Sequence, residues 1–155
     1  MPAGDLIVAD YQFELREHLA GDGCDWDNTE QGWSDPTGGE VVGSDAQRTL
    51  ADGVSAGFDR SGPIVFTASL WTPNCYDDAE AWDLVSELRE AWAPSGYADL
   101  ELHMQLPGLG HCWLLGRPRG VQVDTARIRE GVAFAMVTFL GVDGRLHFPD
   151  EGGSA

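Results

Sequence analysis

The chain contains no lysine: all nine of its basic residues are arginine, a bias that fits a GC-rich coding sequence because lysine codons are AT-rich. Positive charge is scarce altogether. Nine basic side chains face 26 acidic ones, for a formal charge of -17, and so negative a surface repels nucleic acid phosphates and anionic lipids. Nucleic acid and membrane surfaces are therefore not expected partners. Cysteine is sparse too: Cys24, Cys75 and Cys112 are odd in number and have no CxxC spacing, which speaks against a disulfide framework or a zinc knuckle.

Long apolar runs are missing, and no window approaches the roughly 18 uninterrupted apolar residues of a membrane span. The N-terminal MPAGDLIVAD has neither a basic nor an apolar targeting region, so a soluble protein made in the cytoplasm is expected. The common catalytic signatures are absent as well: no GxxxxGKS or GxGxxG between a strand and a helix, no GxSxG elbow, no HExxH.

What is present is a 155-residue chain, 43% hydrophobic, long enough to bury about two-thirds of its unfolded surface around one core. Alternation marks a first strand over residues 6–15, with Tyr11, Phe13 and Leu15 on one face and Asp10, Gln12 and Glu14 on the other. Residues 20–62 read as a long Gly-, Asp- and Ser-rich loop, functional or mobile in character. Acid is concentrated early, since residues 1–60 hold 13 Asp or Glu against 3 Arg.

A strand over 63–71 follows, with Ile64, Phe66, Ala68 and Leu70 opposite Val65, Thr67, Ser69 and Trp71. Asp77 and Glu80 form a capping-box pattern, and Ala81, Leu84, Val85, Leu88 and Trp92 recur at helical spacing, predicting a helix over about 77–93. Extended runs at 98–106, 111–121 and 131–142 come next, the last apolar on both alternating sets and so covered on both faces. Residues 142–145 read as a hairpin turn with a short return strand, and 150–155 as a loose tail. The fold class implied is mainly β (α+β): a single domain over 1–149, built as a β-sandwich or squashed barrel with one helix packed on its side.

Several side-chain groups invite chemistry. Residues 22–30 carry four carboxylates, yet lack the spacing, central glycine and final glutamate of an EF-hand, so a solvated loop is favoured over a calcium site. His103, His111 and Cys112 flank one turn, but a closed four-ligand zinc spacing is lacking, and a Cys-His nucleophile needs an orienting third group. No cofactor is expected. Of six tryptophans, Trp92 and Trp113 fit the core and Trp82 the edge of the helix face; Trp26 and Trp33, in the polar loop, are candidates for a sugar-binding or oligomer surface.

Residues 44–65 read SDAQRTLADGVSAGFDRSGPIV, followed in order by AWDLVSELREAWAP, an LPG turn, an RPR segment and GVAFAMVTFLGVDGRL. This succession, covering about residues 4–148, resembles the minor tail proteins of actinobacterial phages, and through them the N-terminal ring domain of distal tail proteins of long-tailed bacteriophages. The family often closes on DPR and an aromatic, whereas this chain has Asp143-Gly144-Arg145-Leu146-His147; many members continue into a second domain, so receptor binding by such a domain is not expected here.

The resemblance implies a non-enzymatic structural virion protein, a subunit of a hexameric ring at the tail tip. It would touch further copies of itself, the tail tube protein, tip or baseplate hub proteins and the tape measure protein. A tail tube or tail-terminator subunit is the alternative within this class; a small acidic hydrolase or metal-binding module is the alternative outside it. Expected interface residues are Trp26, Trp33, Phe134, Met136 and Phe139, with Asp45, Arg48, Asp52 and Asp59 in ion pairs or turn hydrogen bonds and Gly53, Gly57 and Gly62 in tight turns.

Overall fold

A computed structural model describes residues 5–37 and 62–149. The expected positions Asp45, Arg48, Asp52, Gly53, Gly57 and Asp59 lie outside these residues. The described elements are β1 (Gln12–Leu15), β2 (His18–Gly21), β3 (Asp27–Trp33), β4 (Ile64–Trp71), α1 (Asp78–Ala91), β5 (Leu100–Leu106), β6 (Gly110–Asp124), a 3-10 turn (Ile128–Glu130) and β7 (Phe134–Gly141). The strands form one antiparallel sheet in the order β2-β1-β5-β6-β7-β4-β3. Its two edges, β2 and β3, are consecutive in the chain, and the Gly21 N–H donates to the Trp26 carbonyl at 2.8 Å. The sheet thus curls back on itself as a squashed barrel, with α1 against its inner face.

Period-two alternation sets what faces inward. On β4 the buried set is Ile64, Phe66, Ala68 and Leu70; across the ladder it is Ala135, Val137 and Phe139 on β7. Leu102, Met104, Cys112, Leu114, Phe13 and Leu15 complete the inner wall. The helix adds Ala81, Val85, Leu88 and Ala91, and Trp92 bridges the barrel, edge-on to Phe13 at 6.1 Å and to Phe139 at 6.2 Å. Strands β6 and β7 approach so closely at Gly116 that a Cβ there would run into the Leu140 carbonyl.

The helix starts where its capping residues dictate. Asp77 Oδ1 accepts from the Glu80 N–H at 3.0 Å, while Glu80 Oε1 accepts from the Tyr76 N–H at 3.2 Å, one residue upstream of the usual reciprocal partner. Return pairing after residues 142–145 shrinks to one bridge, and it joins His147 to Trp113 of β6 instead of extending a β7 hairpin.

Two strands, β2 and β3, occupy residues read from sequence as the start of a long loop. Two expected interface residues are corrected with them. Trp26 is fully buried, because the β2–β3 hairpin tucks it under the helix, where its Nε1–H donates to the Leu84 carbonyl at 3.0 Å. Phe139 is fully buried because it shares strand parity with Ala135 and Val137. Trp33 is half-buried, edge-on to Tyr11, Phe13 and Phe66 at 5.3–5.5 Å.

Candidate functional site

The outer face of the β4–β7 ladder carries Val65, Thr67, Ser69 and Trp71 opposite Leu140, Thr138, Met136 and Phe134. Parity places these residues outward for the same reason that it buries their neighbours. Val65 is 55% exposed and Met136 41%; Leu140, directly opposite Val65, is half-buried, and the Thr67–Thr138 pair separates these two from Met136. Among the described residues expected at an interface, Phe134 and Met136 lie on this face. Val65 and Trp71 join them, a pairing that became visible only once the β4–β7 register was known.

At one end of this face Trp71 and Phe134, paired across the ladder, lie with ring planes within 13° and centroids 6.2 Å apart. Beside them β3 departs from regular pairing between Asn28 and Trp33, with Gly32 at φ 61°. The extra residues stand off the sheet as a bulge. Between this bulge and the aromatic pair is a cleft of about 500 Å³, lined by Asn28, Thr29, Glu30, Gln31, Ser69, Trp71 and Phe134. The Asn28 side chain is committed to the scaffold: Nδ2 donates to the Tyr11 carbonyl and to Asp22 Oδ1, both at 2.9 Å, and Oδ1 accepts from Trp33 Nε1–H at 2.7 Å.

A second cluster occupies the outer face of β1, β5 and β6. His103 Nε2 lies 2.8 Å from Glu101 Oε1, and His103 Nδ1 lies 2.7 Å from His111 Nε2. Trp113 packs 5.1 Å from His103 and stacks on His147, which bonds Asp143 at 2.6 Å. Burial, and next the neighbouring His103, hold the His111 imidazole below its ordinary 6.5, against the opposing pull of Glu14, Asp5 and Glu101. These contacts fix the orientation of both imidazole rings.

The same geometry argues against the two reactive readings of these residues. Facing nitrogens of His103 and His111 are committed to each other, leaving that pair no shared opening for a metal. Cys112 lies between outward His111 and Trp113, so its buried side chain points to the opposite face, and burial pushes its thiol up to about 11. A Cys-His nucleophilic pair does not form.

Among the described residues no group of three or more His, Cys, Asp or Glu side chains converges on a metal position. Three of the four carboxylates of residues 22–30 act on Cys24, whose thiol is pushed up to about 11, first by burial and then by Asp27, Asp25 and Asp22. The three cysteines are free thiols, and no helix among the described residues is long and apolar enough to cross a membrane. Compared with models of protein families, with curated proteins and with solved structures, the chain matches none.

Proposed function

We propose that this chain is a structural subunit of a homo-oligomeric ring at the distal end of a long non-contractile phage tail, where it joins the tail tube to tip or baseplate proteins. The observation that carries this reading is the set of outward apolar side chains on the β4–β7 ladder, Val65 paired with Leu140 at one end and Met136 beyond the Thr67–Thr138 pair. Clustered apolar side chains on an outer sheet face mark an association surface. A closed ring needs two different surfaces per subunit. The helix offers the second on the other side of the sheet, where Trp82 is 49% exposed. The ordered resemblance over about residues 4–148 supplies the tail assignment, and the mainly-β fold with one inserted helix agrees with it.

Light scattering on the purified protein over a range of concentrations tests the reading. A ring-sized species that Val65→Glu dissociates is the expected result; a monomer at every concentration overturns it.

A further inference from the structure

The cleft between the β3 bulge and the Trp71–Phe134 pair has a composition unlike that of the apolar side chains on the same ladder. Its lining joins the stacked Trp71–Phe134 pair to the polar side chains of Thr29, Glu30, Gln31 and Ser69. Among the described residues, the Trp71 indole N–H, the Ser69 hydroxyl, the Glu30 carboxylate and the Gln31 side-chain amide have no hydrogen-bonding partner, whereas the adjacent Asn28 is fully engaged in holding the bulge. Thr29 Oγ1 accepts from the Gln31 N–H at 3.2 Å and keeps its own hydrogen to donate. Uncommitted donors and acceptors thus line the same cleft as a stacked aromatic pair.

We propose that this cleft binds a neutral carbohydrate, its ligand class being a pyranose with equatorial hydroxyls. Such a ring has an apolar face of axial C–H groups, which packs on an aromatic plane, and a rim of hydroxyls. Each hydroxyl can donate to a carboxylate while accepting from an amide or indole N–H, the pairing that Glu30, Gln31 and Trp71 offer. The cleft's volume, about 500 Å³, falls within the usual range of small-molecule sites and suits a short oligosaccharide.

Charge narrows the choice further. Glu30 lines the cleft, Asp124 lines the neighbouring groove that shares Phe134, and the chain carries -17 overall, so phosphorylated, sulfated or uronic sugars are repelled. The cleft is built within one chain. Its ligand binding therefore does not depend on ring formation, and either reading can fail without the other.

Cellotriose and triacetylchitotriose, each titrated into the full chain and followed by NMR, test the proposal. The Trp71 indole N–H signal is expected to shift with saturation, together with the Gln31 side-chain and Ser69 amide signals. Trp71→Ala is expected to weaken binding by at least about tenfold, and Glu30→Gln, at an exposed position that does not threaten folding, by about tenfold. Tyr97→Ala, at a side chain 95% exposed and outside the cleft, leaves binding unchanged. The proposal is overturned if neither sugar shifts these signals up to about 10 mM. It is equally overturned if Glu30→Gln and Trp71→Ala both bind like the parent chain, or if tetramethylammonium occupies the cleft and the sugars do not.

Discussion

The Arg16 guanidinium, on the β1–β2 turn, caps the helix C-terminus: its Nη1 donates to the carbonyls of Ala93 at 2.8 Å, Ala91 at 3.2 Å and Glu90 at 3.3 Å. A helix C-terminus presents unpaired carbonyls and the negative end of its dipole, so a cation there satisfies both. The contact also explains a local oddity. Arg16 and Glu17, the turn between β1 and β2, both adopt positive φ, 51° and 63°, without glycine or asparagine. Such a turn matches strand twist but strains non-glycine residues by about 1 kcal/mol or more each, and the Arg16 bonds help offset that strain.

Arg16→Ala is therefore expected to destabilise the protein by about 1–2 kcal/mol, with most of the loss at the helix C-terminus. Urea denaturation reads the total, and hydrogen exchange at Trp92 and Ala93 reads the location. A loss spread evenly over the sheet would refute the capping role.

Trp26 and Val65 separate core from surface. Trp26→Ala removes a fully buried indole bonded to the Leu84 carbonyl and should lower stability by about 3–5 kcal/mol. Val65→Glu changes a residue 55% exposed and should move stability by no more than about 0.5–1 kcal/mol while dispersing the oligomer. Thermal unfolding beside light scattering checks both; if Trp26→Phe disperses the oligomer while folding normally, Trp26 acts at an interface after all.

Acid should weaken the fold through two histidines. Burial lowers His18, against Glu87 and Asp25, and lowers His111 as described above. Both bind protons less readily when folded than at the unfolded value of 6.5. The unfolded chain thus takes up protons that the folded chain refuses, and stability falls as pH drops through 6.5 toward the lowered folded values. The urea midpoint should decline over roughly pH 7 to 5.5, and His18→Gln with His111→Gln should flatten that slope. A midpoint that rises toward acid would contradict the assignment.

Cys24 offers a chemical check. With its thiol pushed up to about 11 by burial and three aspartates, little thiolate exists near neutrality. Iodoacetamide at about pH 8 should modify it several-fold more slowly in the folded chain than in urea. Equal rates would mean that neither burial nor the three aspartates hold the thiol protonated.

How much of this was legible beforehand differs by element. Alternation in 63–71 carried enough apolar contrast to identify both the strand and its buried set, and the Asp77–Glu80 pair marked the helix start. Strand β2 escaped because His18–Gly21 is short and its turn from β1, Arg16 and Glu17, carries no turn signature, and β3 because Asp27–Trp33 is polar and irregular. Their strand pairing comes from neighbours in the sheet, which propensity does not report. The doubly apolar β7 looked covered on both faces, yet Met136 remains 41% exposed.

Composition and periodicity by themselves determined an acidic, mainly-β domain with one capped helix, because charge, apolar alternation and capping are local properties of the chain. Tertiary structure alone decided which aromatic residues serve the core and which the surface. Trp26 lies in a polar stretch and is buried; Trp71 ends an apolar strand and lines a cleft with Phe134. The reason is that burial follows from strand register and from what packs across the sheet, and both are set by residues distant in sequence.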